Sequence, residues 1–194
     1  MPAQTDAALG FRAHTGWAAA VAVARPWDVV ERSRIVYEPE ATRFIYHRAA
    51  EMGSDEAETL IQLARAQSVE RACAEIGAVA STLAERGLSV TAACVPGGNT
   101  RLPGSLADIL AAHARIHAAE GAFYRDVLAD ACTQLGLRVM RVPERDLCAI
   151  ARASLVCSEE NLRERLAAQR KKLGAPWGED QKLAALAAFA ALKT

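Results

Sequence analysis

Residues 9–21 read LGFRAHTGWAAAV, and the way this stretch divides decides the fold. Apolar residues run from Ala7 to Ala24 with an interruption at His14-Thr15-Gly16, which predicts two strands, or one strand with a bulge. A turn signal, ARPWD, is opened by Pro26 and leads to a third strand over Val29 to Tyr37. That strand has polar residues between apolar ends, so it is expected near a sheet edge with one face toward solvent. RFIYH, residues 43–47, reads as a further short extended piece.

Downstream the pattern changes to helical spacing. Ser54 to Arg86 is a long helix with Ser54 as its cap, Asp55 and Glu56 at its positive end and Gly87 as its stop; Gln67, Ser68 and Gly77 weaken its middle and predict a bend or break there. LSVTAACV is a short apolar strand, PGGNTRLPG a loop, and a second helix runs from Ser105 to about Leu135 and ends at Gly136. LRVMRV is the next strand and PERD opens another helix. SEENLRERLAAQRKKLG carries a serine cap, an acidic first turn and a basic last turn, and QKLAALAAFAALK closes the chain as an alanine-rich helix after the turn APWGED. Three antiparallel strands followed by βα units predict an α/β fold, a mixed sheet of about five strands with helices on both faces. No linker divides the 194 residues, so one domain over 1–194 is expected.

Bulk properties exclude several classes. Lys+Arg and Asp+Glu are both 23, so whole-molecule charge steers the chain neither to nucleic acid nor to an anionic membrane. The five cysteines, Cys73, Cys94, Cys132, Cys148 and Cys157, are odd in number and form no C-x-x-C pair, which argues against a disulfide framework and a zinc site and fits a reducing cytoplasm. MPAQTDAALG has no basic region before an apolar run and does not read as a signal peptide. WAAAVAVA and LAALAAFAAL are too short for membrane spans.

This order of elements resembles the ribonuclease-H-like superfold, and several stretches resemble its RuvC-type Holliday-junction resolvase branch. LGFRAHTGWAAAV is similar to that family's first-strand pattern, in which glycine, an apolar residue and aspartate precede a turn and a Thr-Gly-aromatic second strand. LRVMRVPERDL, SEENLRERLAAQRKKLG and WGEDQKLAALAAF are similar to its last strand, the following helix and its closing acidic turn and helix. The resemblance implies a three-layer fold and, in the family's nucleases, two divalent ions on carboxylates from the first strand, the fourth strand and the final helix. Such a site needs several hard oxygen ligands close together. Here the first-strand position is Arg12, TAACV offers no acid, and at the final helix Glu179 and Asp180 remain while the position one turn on is Leu183. Two-metal phosphodiester cleavage is therefore not expected. Arg12 is expected instead to neutralise Glu179 or Asp180 through a bidentate pair, replacing the metal.

The same fold brings the turn after the first strand toward PGGNTRLPG, so Arg12, His14, Cys94, Asn99, Arg101, Glu179, Asp180 and Lys182 form the candidate cleft. Backbone N–H groups, Asn99 and Arg101 could meet a phosphate, but the spacing matches no P-loop and turns need their glycines anyway. Cys94 is a nucleophile only if His14 lowers its pKa, and a cysteine in TAACV is more simply a core residue. Trp17, Trp27 and Trp177 read as core anchors. A second constellation, His113, His117 and Glu120, lies along one helical stripe within an apolar face. Hydrogen bonding or an oligomer interface explains it more readily than a metal, and no cofactor is implied. The function expected first is a non-nucleolytic protein that binds nucleic acid or a protein partner. An enzyme acting on a small phosphate- or carboxylate-bearing substrate at Arg12, His14 and Asn99, and a structural homodimer, are the alternatives.

Overall fold

A computed structural model describes residues 4–98 and 101–192. The apolar run separates into β1 (Thr5–His14) and β2 (Trp17–Ala24), joined by Thr15-Gly16. Gly16, the second residue of this turn, has φ +82°, a left-handed conformation that glycine adopts without strain. Its carbonyl accepts the N–H groups of Tyr37 and Glu38, and the Tyr37 hydroxyl reaches the carbonyls of Trp17 at 2.6 Å and His14 at 2.9 Å, so the hairpin end is fixed from beneath. β3 (Asp28–Val36) follows, then β4 (Leu88–Cys94) and β5 (Arg138–Met140). The sheet order is β3-β2-β1-β4-β5, with β3 at an edge as its pattern predicts. β2 alone runs against the other strands: it is antiparallel to β1 and β3, while β4 is parallel to β1 and β5. This is the ribonuclease-H-like arrangement, a mixed five-stranded sheet with helices on both faces.

Strand alternation divides the core. Leu9, Phe11, Ala18, Ala20 and Ala93 face one side, where they pack with α1 (Ile45–Ala49), α2 (Ser54–Glu85) and α4 (His113–Gln134). Ala8, Val21, Val23, Ala92 and Cys94 face the other, toward α5 (Leu147–Leu155), α6 (Glu159–Leu173) and α7 (Glu179–Leu192). Gly10 decides how close α7 can come. A Cβ there would stand 2.0 Å from the Ala184 carbonyl oxygen and 2.2 Å from the Ala188 nitrogen, so the helix backbone rests directly on the strand. The alanines of α7 are small for the same reason, and Ala184, Ala187 and Ala188 are fully buried.

Several expectations need correction. RFIYH is not extended: Ile45–Ala49 is helical, because Ile45 and Ala49 bury against α2 and α4 and the Glu120 carboxylate accepts the Tyr46 N–H at 3.1 Å. α2 is one uninterrupted helix, since Ser68 turns inward to the Glu38 carboxylate at 2.9 Å; its cap is Gly53 instead of Ser54. The second helix is two, α3 (Leu106–Leu110) and α4, separated at Ala111-Ala112; Ser105 caps α3 by accepting the Asp108 N–H. Only Trp177 is a buried tryptophan, its indole N–H donating to the Leu166 carbonyl at 2.7 Å, whereas Trp17 and Trp27 are half-buried. Among the described residues no helix is long and apolar enough to cross a membrane.

Candidate functional site

In parallel sheets, sites gather at the carboxyl ends of strands where connections part. Here β1 and β4 end side by side, with Gly10 opposite Cys94. Past the strands the pairing of β4 with β5 continues through hydrogen bonds from the Val95 N–H to the Met140 carbonyl and the Gly97 N–H to the Val142 carbonyl. That extension carries Glu144, the first residue of a 3₁₀ turn (Glu144–Asp146), to the mouth of the crevice. From the other side α7, seated on Gly10, presents Asp180 one turn before Ala184.

Arg12 points between these acids and chooses Glu144, to which its Nη1 donates a hydrogen bond. The Nε–Asp180 separation is 3.9 Å, too long for a hydrogen bond, and Glu179 is exposed in the first turn of α7. The expected pairing with Glu179 or Asp180 is thus replaced by one with Glu144. The reason is topological, because the guanidinium reaches forward along β1 toward the β5 connection. Asp180 instead faces His14, with Nε2 and Oδ1 3.0 Å apart but without hydrogen-bond alignment. The His14 ring stacks on Trp17 at 4.2 Å, and the Arg34 guanidinium lies 3.8 Å from the Trp17 ring centre.

A cation that sequence reasoning missed completes the mouth. Arg125 of α4 packs its guanidinium against Gly98 and Gly121, where an added Cβ would approach it to 3.0 and 3.2 Å. Burial first, and then the charge of Arg141, lower its pKa from the usual arginine range. Arg141 itself is paired with Asp126 at 2.5 Å, whereas Arg125 has no ion-pair partner among the described residues. The signal available was the i, i+4 spacing of Gly121 and Arg125, which leaves room for a guanidinium to fold back along its own helix.

The remaining cleft residues are not all brought together. Cys94 is fully buried and its thiol is pushed up to about 12 by burial, so it stands as a core residue and not as an activated nucleophile. Arg101 lines a different hollow from Arg12, one it shares with Arg115 of α4. Lys182, half-buried on α7, makes no ion pair among the described residues, and Asn99 lies outside them. Phe11, Arg12, Pro96, Gly98, Arg125 and Glu144 line a hollow of only about 50 Å³, room for a water or two and far below a substrate pocket.

The fold and this crevice define an α/β protein of ribonuclease-H-like architecture in which Arg12, near the end of the first strand, is paired with Glu144. No protein-family model matches the chain, and no curated protein matches it. Among solved structures it is similar to a Thermus thermophilus RuvC structure at 10% identity and a TM-score of 0.44, over 95% of this chain and 92% of that one. The architecture stated here rests on the strand order and directions of the chain itself.

Proposed function

We propose that this chain acts by binding nucleic acid without cutting it, taking backbone phosphate at the mouth of the β1–β4 crevice. The observation that carries the reading is Arg12 hydrogen-bonded to Glu144 where a metal-binding carboxylate would have to stand. A guanidinium cannot ligate a cation, and with Cys94 on β4 only Glu144 and Asp180, among the described residues, bring carboxylates to Arg12, too few for two ions. Arg125 supplies the affinity: a half-buried cation with no acid of its own favours an anionic group, and phosphate fits a guanidinium fork.

Fluorescence anisotropy with duplex and four-way-junction DNA, in 50 and 200 mM salt and with magnesium, tests it. The expected result is salt-sensitive binding with intact DNA, and an Arg125→Ala variant that binds more weakly with a salt slope smaller by roughly one unit. Magnesium-dependent cleavage by pure protein overturns the non-nucleolytic reading. Absence of binding to any of these DNAs by folded protein overturns the nucleic-acid reading and turns attention to a protein partner.

A further inference from the structure

The stripe His113, His117, Glu120 acquires a fourth member that the sequence reading placed in a strand. α1 delivers His47 onto the N-terminal end of α4, and the ring nitrogens of His47, His113 and His117 lie within 4.8 Å of one another. His113 Nε2 and His117 Nε2 are 2.9 Å apart, and the His47 ring centre stands 5.4 and 4.7 Å from theirs. Two imidazoles on one tetrahedral zinc ion, each at 2.0–2.1 Å, have nitrogens about 3.3 Å apart. The three side chains need only small rotations to meet that geometry.

Behind them stands Glu120, almost wholly buried. One carboxylate oxygen accepts the Tyr46 N–H at 3.1 Å and the other lies 2.6 Å from His47 Nδ1. With Nδ1 protonated toward Glu120, the His47 Nε2 keeps its lone pair free for a metal ion. A carboxylate on the far nitrogen of a metal-binding histidine fixes the tautomer and raises the basicity of the ligand. The other buried glutamate, Glu38, is matched by Arg71 at 2.8 Å and by hydrogen bonds from Ser68 and Thr42. Glu120 has no arginine or lysine partner among the described residues, and His47 is its one ion-pair partner there. An imidazole is therefore the one basic group set against this buried carboxylate among the described residues.

We propose that His47, His113 and His117 bind one divalent transition-metal ion, zinc by ligand type, with Glu120 as the positioning residue behind His47. Neutral imidazoles select zinc and its neighbours over magnesium and calcium, which require oxygen ligands. His113 and His117 are exposed, so a fourth position opens to solvent and takes water or a small anion. The site lies on the sheet face opposite α7 and is independent of any nucleic-acid binding in the crevice.

The test uses the full-length chain, stripped with chelator and titrated calorimetrically with zinc chloride and spectroscopically with cobalt. We expect one ion per chain, a cobalt spectrum of tetrahedral nitrogen–oxygen type without a thiolate charge-transfer band, and at least 100-fold weaker binding in His117→Ala. Glu120→Gln keeps all three histidines and should weaken binding 10- to 100-fold. Circular dichroism identifies folded variants, and His113→Ala, at an exposed position, replaces any that does not fold. Three results would overturn the proposal: no binding, a thiolate band that persists in the histidine variants and so assigns the ion to the free cysteines, or zinc affinity unchanged in both His113→Ala and His117→Ala.

Discussion

At the ends of β1 and β4, Arg12 faces Glu144 and Asp180 faces His14, around a hollow of about 50 Å³. In the corner between α1 and α4, a buried carboxylate backs one histidine while three rings turn their nitrogens toward one another at the surface. Both regions collect ionisable side chains; the first pairs Arg12 with Glu144 and leaves Arg125 without an ion-pair partner among the described residues. The second has a carboxylate with only imidazole and an amide N–H against it. In both regions the residues that can still receive something stand out in the same way. They are found where polarity remains unmatched.

The comparison breaks most severely at Gly10. A side chain at this position meets the α7 backbone at 2.0 and 2.2 Å, and a backbone cannot rotate aside as a side chain does. Gly10→Ala is expected to destabilise the protein by roughly 3 kcal/mol or more, measured as a lower urea midpoint, because α7 must lift from the sheet and take Asp180 with it. Zinc binding by the folded fraction should not change, since the histidine corner lies on the other face. An unchanged midpoint would mean that α7 does not bear on β1 as described.

A smaller effect is confined to alkali. Burial pushes the thiols of Cys94 and Cys132 from 9.0 up to about 12, with nearby Cys73 adding to the shift at Cys132. Between those values the native chain keeps protons that the unfolded chain releases, so rising pH favours unfolding. The stability is present in full below pH 9 and is lost as pH climbs toward 12, at roughly 1.4 kcal/mol per pH unit for each thiol. Denaturation between pH 9 and 10, below the range in which the buried Tyr37 and Tyr124 hydroxyls add a slope of their own, should show it, and Cys94→Ala should remove one thiol's share. A slope that Cys94→Ala leaves intact would show that the thiol is accessible and restore its claim as a reactive group at the crevice.

These sites were legible in the sequence to different depths for physical reasons. The β1–β2 hairpin and α7 follow from local apolar periodicity, and the mixed sheet from the order of elements, whereas the order of the strands within that sheet depends on long-range pairing that the sequence does not display. RFIYH misled because aromatic and β-branched residues suit a strand, whereas the buried Ile45 and the Glu120 carboxylate hold it as a helical turn. The break at Ala111-Ala112 was invisible because alanine is the best helix former and carries no stop signal. His113, His117 and Glu120 could be grouped because they lie on one helix, but His47 sits 73 positions from Glu120 and joins them only through tertiary packing. Arg12 was marked by its departure from the expected acid, while its partner lies 132 positions away and depends on the β4–β5 pairing.

The smallest effect concerns that pair. Arg12 and Glu144 retain about a third and two-fifths of their side-chain exposure, so water screens them and neither loses its hydration fully when the other is removed. A double-mutant cycle with Arg12→Ala and Glu144→Ala should give a coupling of about 0.2–1 kcal/mol, falling with added salt. A pair worth so little does not hold the fold together. Its consequence is occupancy, because a guanidinium in this position excludes the cations that a carboxylate would admit. A coupling above about 2 kcal/mol, insensitive to salt, would reverse that order and make Arg12 a structural tie between β1 and the β5 connection.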